Sequence, residues 1–191
     1  MGDHVLFFYG TLMAPQILHK VIYGQANQNR WQDAMLRFQP AILHGYRRHR
    51  VQDADYPGIV AVPATQTKAD KSSAPKTHAG TSVIGTLVSG LTDGDVYRLD
   101  RFEGSEYEKK RVTVRTLREA PGDNKHDGEG VSDESRLREM LDGTSTEADE
   151  GGGGFGCDLS GKDMLEDAEW DFESFKRDKM AWWVGADESE W

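Results

Sequence analysis

One carboxylate in this chain stands where chemistry could use it. In the run Leu99-Asp100-Arg101-Phe102-Glu103-Gly104, Glu103 falls in the last turn of an expected helix, where unsatisfied carbonyls disfavour a negative side chain by about 0.3–1 kcal/mol. That placement raises a carboxyl pKa toward the range useful for proton transfer. The competing carboxylates of the same helix have plainer roles, Asp93 as a cap and Asp95 and Asp100 on the exposed face. A merely solvated helix-end glutamate is the plainer reading of Glu103 too.

A second stretch could hold an anion. Phe7-Phe8-Tyr9-Gly10-Thr11-Leu12 closes a short apolar run, Val5 to Tyr9, with the length and aromatic content of a buried strand. Ala14-Pro15 then begins a segment whose Ile17, Leu18, Val21 and Ile22 share one helical face, with Pro15 suited to the first turn. In a strand, glycine turn and helix of this kind, the N–H groups of Gly10, Thr11 and Leu12 cannot all be spent in a ladder, and glycine lets a ligand approach the backbone. A carboxylate suits such a turn. A plain connection between two elements accounts for the same pattern.

Other chemistries find no support. Gly151, Gly153 and Gly156 satisfy G-x-G-x-x-G in form, but they lie in a low-complexity acidic tract with no strand before them. His4, His19, His44, His49, His78 and His126 have no zinc-ligand spacing. Asp53-Ala54-Asp55 lacks the remaining ligands of a calcium loop. Gly80-Thr81-Ser82-Val83-Ile84 ends without the glycine of a nucleophile elbow.

The elements that must position Glu103 and the turn can be read in order. The first helix ends near Gly24, and a strand from about Arg37 to Val51 has a basic, solvated end, Arg47-Arg48-His49-Arg50. Asp53-Ala54-Asp55 turns the chain into Ile59-Val60-Ala61-Val62, an antiparallel return with Pro57 at its first residues or on an edge. From Ala64 to Thr81 hardly an apolar residue occurs, which reads as a long loop. Ser82 to Val88 is a strand, and Asp93 is the expected N-cap of a helix carrying Val96, Leu99 and Phe102, with Gly104 at its C-terminal end. Tyr107 to Leu117 is a half-exposed strand with Val112 and Val114 on one face. Near the C-terminus, Phe172, Phe175, Lys179 and Trp182/Trp183 make an amphipathic helix with Phe172, Phe175 and Trp182 in the core.

Composition bounds the function. The 191 residues suffice for one domain with a proper core. Between Glu119 and Glu150, eleven acidic residues face only Lys125, Arg136 and Arg138, most of the chain's net charge of -10. The expected organisation is a single domain from residues 1–118 and 166–191, interrupted over 119–165 by an acidic, Gly-rich insertion too polar to fold. The acidity argues against nucleic acid or an anionic membrane as partner. Met1-Gly2-Asp3-His4 has no basic leader, the apolar run after it is short, and Cys157 is the sole cysteine, so a reducing, cytoplasmic location is expected.

The ordered set FFYGTL, LHGYRRHRVQDADYPGIV, GTLVSGL, LDRFEGSEYEKKRVTV and EWDFESF resembles the gamma-glutamylcyclotransferase-like, or AIG2-like, family over about Val5 to Val62, Val83 to Leu117 and Trp170 to Val184. The resemblance implies a mixed α/β fold, a small barrel of five or six strands with flanking helices. It implies cyclisation of a γ-glutamyl group to 5-oxoproline with release of an amine or amino acid, and no metal or organic cofactor. Tyr9-Gly10-Thr11-Leu12 matches the family's Y-G-[ST]-L turn, whose backbone would hold the substrate's α-carboxylate. Glu103 matches the acid/base glutamate, Tyr107 follows at the family's spacing, and Tyr56-Pro57 would line the pocket. The family's further strand before the last helix is not visible here. The alternatives are a non-catalytic member of the fold that binds a small anionic ligand or a protein partner, and an amine transferase. The leaving group and the oligomeric state are not readable.

Overall fold

The computed structural model describes residues 2–26, 35–62, 82–104, 107–116, 153–159 and 164–186. The loop expected over Ala64 to Thr81 lies outside them, and so does the acidic stretch from Glu119 to Glu150. Strand β1 (His4–Phe8) leads through Gly10 into a 3-10 turn (Thr11–Met13) and helix α1 (Pro15–Tyr23), the order expected from the sequence. Strands β2 (Arg37–His44), β3 (Tyr46–Arg50), β4 (Pro57–Ala61) and β5 (Ser82–Leu91) follow. The stretch expected as one strand from Arg37 to Val51 is thus two, broken at Gly45, whose φ of 82° only glycine adopts readily. Helix α2 (Asp93–Glu103) precedes strands β6 (Tyr107–Thr113) and β7 (Arg115–Thr116), and β8 (Gly153–Leu159) precedes the C-terminal helices α3 (Phe172–Asp178) and α4 (Met180–Gly185).

Six strands form a mixed sheet in the order β6-β8-β1-β5-β2-β7, and β3 and β4 form a separate hairpin. The ladders do not close the expected small barrel, because β6 and β7 are both edges. They are nevertheless one run of chain interrupted only at Val114. The sheet must therefore curl until its two edges lie within a residue of each other. Its concave side packs Phe7, Tyr9, Ala41, Leu43, Val83, Leu87, Val112 and Val114 with Ile59 of the hairpin. Alternate residues of β1 and β5, among them Leu6, Phe8 and Val88, face the other way and meet α1, Leu99 of α2 and the C-terminal helices. The alternation of period two is what gives one sheet two cores.

Strand β8 is the one the sequence conceals. It falls inside the stretch read as an acidic insertion, pairs antiparallel with β6 over Tyr107↔Leu159 to Thr113↔Gly153, and pairs parallel with β1 at Leu6↔Phe155. Glycine is a poor strand former, so the run 153–156 carries no strand signal of its own. Ladder partners on both sides supply what propensity lacks.

Helix α2 is capped differently from the expectation. Thr92, not Asp93, is the N-cap: its hydroxyl accepts the Asp95 N–H at 3.2 Å while the Asp95 carboxylate accepts the Thr92 N–H at 2.9 Å. Such a reciprocal box is worth about 1 kcal/mol. Gly104, with φ 73°, ends the helix one residue past Glu103.

The C-terminal helix is also two pieces. Lys179, at φ -124° and ψ -31°, interrupts it and shifts the phase of everything after. Trp183 therefore enters the core at 8% exposure, and Trp182, expected there, is left 51% exposed. Phe172 and Phe175 are buried as expected, stacked at 6.4 Å with Trp170 beside them. Phe175→Ala should destabilise by about 3–5 kcal/mol, whereas Trp182→Ala should stay within about 0.5 kcal/mol. Chemical denaturation of both variants checks this, and equal costs would mean that α4 is not docked in this phase.

Candidate active site

One cavity of about 190 Å³ is walled by Phe7, Phe8, Tyr9, Gly10, Thr11, Leu12, Tyr56, Pro57, Phe102, Glu103, Tyr107 and Trp183. A single water needs roughly 10–15 Å³ of such space, so the cavity takes a small molecule. Every residue singled out from the sequence is in that wall: Glu103, the turn Tyr9-Gly10-Thr11-Leu12, Tyr56 and Tyr107.

The turn is built by the handover from β1 to α1. Met13 N–H donates to the Gly10 carbonyl at 2.9 Å and Ala14 N–H to the Thr11 carbonyl at 3.1 Å. These bonds use carbonyls, so the N–H groups of Gly10, Thr11 and Leu12 have no acceptor inside the turn. Gly10 is obligatory for a steric reason, because a Cβ there would lie 2.8 Å from Pro57 Cδ. Pro57 in turn starts β4, where its missing N–H does no harm. Tyr107 ties β6 to that residue through its hydroxyl, which donates to the Pro57 carbonyl at 3.2 Å, and its ring meets Tyr56 edge-on at 5.9 Å.

Glu103 arrives at the cavity as the last residue of α2. By surface area the residue is half-buried, but protein crowds its carboxyl. That desolvation, with a smaller contribution from the negative charge of Asp100, pushes its pKa up from 4.5 to about 7. Burial, not the helix end invoked above, is the leading cause. Asp100 itself is held outward in an exposed ion pair with Lys109 of β6, Nζ to Oδ2 2.7 Å.

Three participants escaped the sequence reading. Trp183 reaches the cavity because of the break at Lys179, and Phe102, next to Glu103, packs edge-on against it at 5.9 Å. Arg48 was read as part of a solvated basic strand end and is instead 3% exposed. Its guanidinium donates to the Tyr9 carbonyl at 3.1 Å and lies 5.3 Å from the centre of the Trp170 ring, which desolvates the charge and repays it with a cation–π contact. Alternation along β3 gave no signal for this, since Arg50, on the same face as Arg48, is exposed. Among the described residues no group of three or more His, Cys, Asp or Glu gathers as for a metal, and no helix is long and apolar enough to cross a membrane.

The model of the family described as gamma-glutamyl cyclotransferase, AIG2-like, matches residues 6–129. The chain belongs to that family. Among its relatives, Protein AIG2 C of Arabidopsis thaliana is 29% identical over 116 residues, 61% of this chain and 53% of the relative. AIG2-like protein B of the same plant is 27% identical over 183 residues, covering 96% of this chain and 75% of the relative. Against the AIG2 C relative the chain thus spans about half the length. A solution structure of an Arabidopsis thaliana protein matches 95% of this chain and 78% of its own at 19% identity and a TM-score of 0.45. The crystal structure of the yeast gamma glutamyl cyclotransferase specific to glutathione matches 83% of this chain and 67% of its own at 14% identity and a TM-score of 0.41.

Glu103 should titrate near pH 7 in carboxyl-detected NMR of the free protein, with Asp100→Asn moving its midpoint downward because one of the two causes is removed. A midpoint near 4.5 in the unmodified protein would show that its carboxyl is solvated after all.

Proposed function

We propose that this protein is a γ-glutamyl cyclotransferase that converts a small γ-glutamyl compound to 5-oxoproline and a free amine or amino acid, with Glu103 as acid and base. The observation that carries the reading is a carboxyl brought to about pKa 7 by burial, in the wall of the same cavity as the turn Tyr9-Gly10-Thr11-Leu12. Membership of the family supports it.

The chemistry follows from that pairing. The backbone of Gly10, Thr11 and Leu12 holds the substrate's α-carboxylate and so fixes the α-amino group, which belongs to the same molecule as the γ-carbonyl it must attack. Such intramolecular presentation supplies several kcal/mol of the barrier. Ionised Glu103 takes a proton from the α-ammonium and returns it to the departing nitrogen. A pKa near neutrality suits both halves of that duty, a contribution of typically 10²–10⁴-fold. Tyr56 and Tyr107 shape the wall beside the turn, and Arg48 stiffens the turn from behind through the Tyr9 carbonyl. The reading needs no cofactor and no partner beyond the γ-glutamyl substrate.

The test is release of 5-oxoproline from a panel of γ-glutamyl amino acids, γ-glutamyl amines and glutathione. Glu103→Gln keeps the volume of the side chain but cannot accept the proton, so turnover should fall by about 10²-fold or more while calorimetric affinity for the best substrate persists. Unchanged turnover in that variant would remove Glu103 from the mechanism. Binding by the native protein without turnover on any member of the panel would favour a non-catalytic ligand-binding member of the fold.

A further inference from the structure

The ladder between β1 and β5 ends at Phe8↔Thr86, and the next carbonyl, that of Tyr9, is taken by a side chain. Arg48 of β3, 3% exposed, donates to it at 3.1 Å. The same guanidinium reaches the Ile84 carbonyl of β5 at 3.5 Å and has Met13 Sδ at 4.0 Å, so it ties the end of β1, the sheet and the 3-10 turn at one point. The Trp170 ring lies 5.3 Å from it. From its own indole Trp170 donates to the Asp55 carbonyl, next to Tyr56 and Pro57 of the cavity wall. Taking a guanidinium out of water is costly. A turn can be shaped without a charge behind it, so the charge points to what the turn holds.

We propose that Arg48 is the positioning residue of the carboxylate-binding turn: from behind Tyr9 it aims the Gly10 N–H at the substrate's α-carboxylate and makes the turn selective for an anion. The assignment rests on the cyclotransferase reading of the same cavity. Geometry gives the first half. No peptide bond among the described residues is cis, so the unit joining Tyr9 to Gly10 is planar, with its C=O and N–H opposed. A carbonyl drawn to Arg48 sends the Gly10 N–H away from it. Gly10 lines the cavity, and Arg48 does not. Electrostatics gives the second half. A cation bonded to the carbonyl polarises the same peptide and strengthens its N–H as a donor. Held in the interior, its attraction for an anion across the turn also escapes most of the screening that water and salt impose. Arg48 touches no reacting atom and acts through the backbone of Tyr9 and Gly10.

The experiment uses two ligands that differ only in the carboxylate: 5-oxoproline, and 2-pyrrolidinone, the same lactam without it. Their dissociation constants are measured by NMR titration of the native protein, Arg48→Gln, Arg48→Lys and, as a control, Arg47→Gln, an exposed position of β3. In Arg48→Gln the constant for 5-oxoproline should rise about tenfold or more, and that for 2-pyrrolidinone should not move. Arg48→Lys, which keeps the charge but not the planar fork, should fall between the native protein and Arg48→Gln. It carries the same test if the glutamine variant does not fold. Arg47→Gln should match the native protein. Equal weakening of both ligands would overturn the assignment, because Arg48 would then support the pocket as a whole. Unchanged 5-oxoproline affinity in the glutamine variant, or in the lysine variant where that alone folds, would overturn it too. So would a native protein that binds 5-oxoproline no tighter than 2-pyrrolidinone. The cyclotransferase reading fails separately: a carboxylate-dependent loss in a protein whose native form releases no 5-oxoproline from any γ-glutamyl compound would uphold Arg48 and refute that reading.

Discussion

Removing water from the Glu103 carboxyl is the constraint on which the rest of this structure depends. A carboxylate at the end of a short surface helix would ordinarily stay solvated and ionised well below neutrality. Here Phe102, Trp183, Tyr107 and the β1 turn close around it, and the ionised form loses enough hydration to bring its pKa to about 7. None of these neighbours is close to Glu103 in the chain except Phe102 and Tyr107. The site exists only when the N-terminal strand, the end of α2, the start of β6 and the last helix have all docked.

That docking is organised by two devices. The first is the bent run from Tyr107 to Thr116, which pairs at one end with β8 and at the other with β2, so the sheet curls and its β1 strand delivers the turn to the mouth of the concave core. The second is the C-terminal segment. Its backbone joins the end of β3, with Arg50 N–H donating to the Ala168 carbonyl at 2.9 Å and Glu166 N–H to the Arg50 carbonyl at 2.8 Å. Trp170 then donates from its indole to the Asp55 carbonyl at 2.8 Å, which steadies the turn carrying Tyr56 and Pro57. The same segment ends in α4 and Trp183. Opposite walls of the cavity are therefore held by one stretch of chain.

What was legible in the sequence was local. Tyr9 to Leu12 sits at a strand-to-helix junction, and Glu103 sits one residue before a helix-ending glycine; both signals act within a few residues, and both features appear where they were expected. The resemblance supplied Tyr56 and Tyr107, which no spacing would have singled out. What was not legible depends on distant partners. Strand β8 is glycine-rich and stands on ladder bonds to β1 and β6. Arg48 reads as a solvated cation until Trp170 is placed beneath it. Trp182 and Trp183 exchange places because the chain breaks helix at Lys179, a residue with no intrinsic breaking tendency. The barrel was an implication of the resemblance alone, since pattern does not say which edges of a sheet meet.

The central claim is that one buried carboxyl, poised near neutrality, moves the proton in cyclisation. The pH dependence of kcat/KM for 5-oxoproline release tests it most directly, because that profile reports groups of the free enzyme. A base must be ionised to act, so the account predicts that kcat/KM falls as the pH drops through about 7, following the carboxyl's own titration. An activity that holds level down to about pH 5, where a carboxyl of pKa about 7 would be almost fully protonated, would contradict it.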